Sequence, residues 1–110
     1  MSTTPTMNNT INNTFNNTIT SEKLEKYFSI TREALHKAKS ALDTSRKAQA
    51  EDFFDMASRY VEDADYFLNT KKDAVLAFAA LNYAHGWLDA GARIGLFKVK
   101  DSRLFTVDDN

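Results

Sequence analysis

From Thr20 onward, apolar and small side chains return every three or four residues, the spacing that keeps one face of an α-helix turned toward a core. The first such run is Leu24, Tyr27, Phe28, Thr31, Ala34, Leu35, Ala38, Ala41 and Leu42. Thr20 or Ser21 can cap its start, and Glu22 suits the positive end of the helix dipole. The second run is Phe53, Met56, Ala57, Tyr60, Val61, Ala64, Phe67 and Leu68. The third is Leu76, Ala80, Tyr83, Ala84, Trp87, Gly91 and Ile94. These patterns predict helices near 21–43, 46–68 and 71–94.

The breaks are weakly marked. Asp43-Thr44-Ser45 offers three capping residues but neither Gly nor Pro, so two helices and one continuous helix both remain open there. Asn69 can end the second helix in the left-handed region, and Thr70-Lys71-Lys72-Asp73 has the form of a capping box. Gly95 stands where the third helix should stop, with Leu96 folding back as its apolar partner. Helices about 30–35 Å long with short links favour an up-down-up arrangement. The stretch after them, with Phe97, Val99, Leu104, Phe105 and Val107, is expected to pack across one end of the bundle.

The first twenty residues differ in kind. Apolar residues recur every fourth position, at Met7, Ile11, Phe15 and Ile19, but between them lie Asn-Asn-Thr units that compete for the backbone. Residues 1–20 therefore read as a disordered or weakly ordered tail and residues 21–110 as the folded domain.

Composition narrows the function classes. The chain has 110 residues, enough for one modest core. Its 14 Lys and Arg against 15 Asp and Glu lack the basic excess of a charge-driven nucleic-acid binder. The basic residues of the first helix (Lys23, Lys26, Arg32, Lys37 and Lys39) are interleaved with acids. With no cysteine, thiolate metal sites and disulfides are excluded. No run approaches the roughly 18 apolar residues of a membrane span, and no leader pattern precedes Lys23, so a cytoplasmic location is expected.

Candidate chemistry concentrates on the third helix. Asn82, His85, Asp89 and Arg93 form a polar stripe opposite the chosen apolar face, and His85 and Asp89 are four apart. The sharp reading is half of a metal or acid–base site. The plainer one is a solvated face with an Asp89–Arg93 ion pair and a His85–Asp89 hydrogen bond. A zinc site wants three or four ligands, and His36, beside core residue Leu35, reads as exposed. Asp52 and Asp63 lie along one line of the second helix, where carboxylates of a catalytic pair would not face each other. Asp55 and Arg59 suit a surface pair, as do Glu22 with Lys26 and Glu33 with Lys37. Gly86 and Gly91 each cost a helix about 1 kcal/mol, which close approach of a neighbouring helix, or access for a ligand or a partner backbone, would explain. Trp87, within the apolar stripe, reads as a core anchor. No phosphate loop, nucleophile elbow or cofactor motif is present.

Three strings are more specific: Asp52–Leu68 (DFFDMASRYVEDADYFL), Tyr83–Phe97 (YAHGWLDAGARIGLF) and Arg103–Val107 (RLFTV). Across roughly Glu22–Val107 the chain resembles an uncharacterised archaeal family, domain of unknown function 357, with Gly86–Gly91 the most distinctive part. The resemblance implies an all-α fold, a left-handed up-and-down three-helix bundle similar to spectrin and albumin-binding modules. It implies no activity and carries over no catalytic residue. The family places a Gly-Asp turn between its second and third helices, where this chain has Lys72-Asp73. The expectation is a non-catalytic interaction or binding module, with Asn82, His85, Asp89, Arg93, Asp52 and Asp63 as its candidate surface and no metal or cofactor. The partner is expected to be an unidentified protein or a second copy meeting through exposed aromatics such as Phe54 or Phe78. A small-molecule or metal-binding role of the third helix is the alternative.

Overall fold

The computed structural model describes residues 15–107; residues 1–14, which hold most of the Asn/Thr-rich tail, lie outside them. Among the described residues, three α-helices build an up-and-down bundle: α1 (Ser21–Lys39), α2 (Lys47–Asn69) and α3 (Ala74–Arg93). A single 3₁₀ turn, Thr44–Arg46, stands in the link between α1 and α2. The helices are thus separate at Asp43-Thr44-Ser45. α2 and α3 pack most extensively, with α1 laid against both.

Each boundary has a local cause. Thr20 caps α1 by accepting from the Lys23 amide at 3.1 Å. α1 stops at Lys39, earlier than the expected residue 43, and Asp43 turns inward to cap the 3₁₀ turn instead. Its carboxylate accepts from the Ser45 amide, the Ser45 hydroxyl and Arg46 Nε. Between α2 and α3 the expected capping box at Thr70 does not form. The amides of Thr70 and Lys71 both return to the Tyr66 carbonyl, and the cap of α3 is Asp73, which accepts from Leu76 N at 3.0 Å. The left-handed residue is Lys72, at φ 55, rather than Asn69. A lysine here adopts a left-handed backbone at the position where the resemblance places a glycine, and Asp73 beside it turns its carboxylate back to cap α3.

The end of α3 matches its expectation. Gly95 is left-handed at φ 78, its amide donates to the Ala92 carbonyl, and the Leu96 amide donates to the Gly91 carbonyl at 2.8 Å. This double return satisfies carbonyls that a helix end leaves open. Arg46 Nη2 satisfies one more, donating to the Ile94 carbonyl at 2.8 Å.

The core has two parts. One joins Leu24 and Phe28 of α1 to Ala64 of α2 and Ala77, Ala80 and Leu81 of α3. The other joins Ala34, Ala38, Ala57, Leu88 and Ala92 to Phe97, Leu104 and Phe105. Alanine at the helix contacts lets the backbones come close but fills little volume. The segment after α3 therefore supplies much of the bulk: of the five largest fully buried side chains, Phe97, Leu96 and Leu104 lie beyond the last helix. Each such side chain contributes about 1.5–3 kcal/mol by leaving water. Backbone bonds hold this segment against the α1–α2 link, from Asp43 N to the Leu96 carbonyl and from Lys98 N to the Ala41 carbonyl, both 2.8 Å.

The buried face of α3 is rotated from the expected one. Ala77, Ala80, Leu81, Ala84, Leu88, Gly91 and Ala92 face inward. Leu76, Tyr83 and Ile94, assigned above to the core, are 47%, 54% and 53% exposed. The error has a physical reason: α3 is apolar nearly all round, so its periodicity supports more than one inward stripe. Trp87 lies on the shoulder facing α2, edge-on to Phe53 at 5.0 Å between ring centres. Phe54 and Phe78, expected to be exposed, are half-buried against the two core clusters.

Candidate functional site

The polar stripe of α3 comes out divided. Asn82 and Arg93 are exposed, whereas His85 and Asp89 lie on the shoulder beneath residues 101–107. The His85 ring bridges two elements: Nδ1 is 3.0 Å from the Thr31 hydroxyl of α1, and Nε2 is 2.7 Å from the Leu104 carbonyl. A carbonyl only accepts, so Nε2 carries the hydrogen and donates, leaving Nδ1 to accept from Thr31 in the neutral ring. Thr31 is itself buried within the apolar stripe of α1, so this contact also satisfies an otherwise costly hydroxyl.

Asp89 accepts from the Thr106 amide at 2.8 Å and the Thr106 hydroxyl at 3.2 Å. The expected His85–Asp89 hydrogen bond is not made; Nε2 and the carboxylate stand 3.9 Å apart. Nor does Asp89 pair with Arg93 among the described residues. What read as a solvated face is instead the seat of a polar clasp.

The clasp continues onto α1. Arg103 grips Glu33 through both terminal nitrogens, at 3.2 and 2.5 Å. Lys37 donates to Asp101 at 2.9 Å. Glu33 and Lys37, expected to pair with each other, thus each reach across to the C-terminal segment. The Arg103 guanidinium holds the Glu33 carboxyl below its ordinary range, and Glu33 in turn raises Arg103. The Lys37 ammonium holds Asp101 low. In the α1–α2 link, Arg46 and then Ser45 hold Asp43 low.

Elsewhere, Asp52 and Asp63 stand exposed on α2, with no bond to the α3 stripe among the described residues. Asp55 and Arg59 form the expected surface pair at 2.9 Å. Arg32 of the basic set is paired with Asp65. His36 is exposed. No three of the His, Asp and Glu side chains among the described residues are grouped to hold a metal ion.

The arrangement offers little for chemistry: both nitrogens of His85 and both oxygens of Asp89 already have partners. The partners Thr31, Leu104 and Thr106 were not anticipated. One signal for them existed, a threonine inside the apolar stripe of α1, since a buried hydroxyl needs a partner. The unanticipated surface is the outer side of α3, made of Val75, Leu76, Ala79, Asn82, Tyr83, Gly86, Ala90, Arg93 and Ile94. Arg93 is its only charge. The outer sides of α1 and α2 are studded with Lys, Arg, Glu and Asp.

No curated protein and no solved structure matches the chain. No helix among the described residues is long and apolar enough to cross a membrane. The family comparison does give a match, over residues 26–97, from the first turns of α1 to the ring that fills the end of the core and short of Arg103–Val107. Its description is Protein of unknown function (DUF357), and the chain belongs to that family.

Proposed function

We propose that the chain is a non-catalytic interaction module and that its contact surface is the outer side of α3. One observation carries the reading: a helix that is apolar on its inner and outer sides alike belongs in a more buried setting than a three-helix bundle provides. Val75 is 74% exposed, and Leu76, Tyr83 and Ile94 are each about half exposed along the same side. Such apolar patches on small proteins mark sites of association. Asn82 and Arg93, from the surface first expected, rim this side; His85 and Asp89 serve the clasp. Asp52 and Asp63 belong to a separate acidic surface of α2. A cytoplasmic place, expected from the sequence, and an archaeal source, implied by the family resemblance, accord with such a role. The alternative, a ligand or metal held by His85 and Asp89, is weakened by the partners that already occupy those groups.

A photo-crosslinking residue substituted for Tyr83 or Ile94 in the full chain tests the reading in cells. Adducts are expected at both positions and not at His36 on α1. No adduct at either outer α3 position would sink it.

A further inference from the structure

Building on that reading, we infer that the outer side of α3 binds a second copy of this chain, helix against helix and antiparallel, about a two-fold axis centred between residues 84 and 85. The residues along it fall at 76, 79, 83, 86 and 90, alternating steps of three and four as in the seam between paired helices. The stripe is self-complementary under that two-fold. Val75 meets Ile94 of the other copy, Ala79 meets Ala90, and Tyr83 meets Gly86. Large side chains at the ends face each other and small ones sit between; Tyr83, whose ring stands edge-on to Tyr60 of α2 at 4.5 Å, borders the seam at the level of Gly86.

Gly86 supports this independently. A Cβ added there meets nothing within 4 Å, so no contact inside the protein accounts for a glycine in mid-helix. Gly91, five residues on, has such a contact, with the Phe97 ring. An isologous interface needs one patch that fits itself, and the pairing gives Gly86 a reason to be small.

Charge and area favour the same occupant. Between Asp73 and Arg93 this side carries no charged group, so pairing strips water from no ion there. At each end Arg93 comes level with Leu76 of the other copy, and the two helix dipoles run opposed. The outer side of α2, with Glu51, Asp52, Asp55, Glu62 and Asp63 against Arg59, would repel its own copy. Half the surface of a helix about 30 Å long and about 10–12 Å across is on the order of 500 Å² per copy. Two copies together bury about 1,000 Å², the least expected of a specific interface and short of the roughly 1,200–2,000 Å² of standard ones. The dimer is therefore a concentration-dependent one.

Sedimentation equilibrium on the full chain over a wide concentration range reads the association directly. Gly86→Gln places bulk on the outer side without touching the protein's own interior. It is expected to keep or raise the thermal stability of the monomer while weakening association at least tenfold. Orientation is tested by Ala79→Cys and Ala90→Cys, made in a chain that has no cysteine of its own. An oxidised equimolar mixture of the two variants is expected to cross-link several times more than either variant alone. Preferential linking of like with like overturns the antiparallel pairing. A chain that stays monomeric at every concentration, or a Gly86→Gln variant that dimerises like the parent, overturns the self-association. In that event, adducts from position 83 to a different protein would keep the interaction reading standing, so the two failures are distinguishable.

Discussion

Two glycines of one helix show how differently a residue type can be used. Around Gly91 an added Cβ would lie 2.3 Å from the Phe97 ring, which is 1% exposed and has nowhere to move. Gly91→Ala is expected to destabilise the fold by about 1–3 kcal/mol, the usual cost of overpacking. Gly86→Ala, into open space, is expected to stabilise the monomer by about 0.5–1 kcal/mol through helix propensity. Denaturant unfolding in dilute solution reads both, and equal signs would refute the distinction. From the sequence the two look alike, and close approach of a neighbouring helix, or else access for a ligand or a partner backbone, was expected for both. The neighbour at Gly91 is instead a ring from the chain's own later segment, and Gly86 has none. Lys72 was legible only as a departure from the Gly-Asp turn that the resemblance implies. Its left-handed φ follows from Asp73 having to cap α3, which depends on where α3 starts.

At the level of elements, the helices were readable because a sustained 3.6-residue period is a strong signal. Their limits were less so: α1 ends short because Asp43 is recruited inward by Ser45 and Arg46, and α3 starts late because Asp73 outcompetes Thr70 as the cap. The inward side of α1 was legible because the positions opposite Leu24, Phe28 and Ala34 carry charges such as Glu22, Lys26 and Lys37. That of α3 was not, because its outer side is apolar too. The clasp over His85 was hidden for another reason: it depends on a segment with no period of its own. Its weight can be measured. Leu104→Ala is expected to cost about 2–5 kcal/mol, since it opens a cavity between α1 and α3. His85→Ala is expected to cost less, about 1–3 kcal/mol, by orphaning the Thr31 hydroxyl. If thermal unfolding ranked them the other way, the segment would be a polar latch rather than part of the core.

For the whole molecule, the ion pairs between α1, the α1–α2 link and the C-terminal segment make stability depend on pH in a definite direction. Glu33, Asp43 and Asp101 all titrate below their ordinary range when folded. The unfolded chain therefore binds more protons in the window just below about pH 4.5, and stability falls as pH falls there. Above that window all three are ionised in both states and their contribution is complete. The midpoint of thermal unfolding is expected to be level from about pH 7 to 5.5 and to drop on further acidification. A Glu33→Gln, Asp101→Asn double variant should show a shallower acid limb, and an unchanged limb would remove these carboxylates from the account. The same segment bears on where the folding unit ends. The family match covers residues 26–97, yet Leu104 and Phe105 are 2% exposed and His85 and Asp89 bond to residues beyond that point. A fusion joined at residue 97 would sever a part of the core, whereas one joined after Val107 would leave it whole. In this chain the stretch that the family match covers is shorter than the unit that folds.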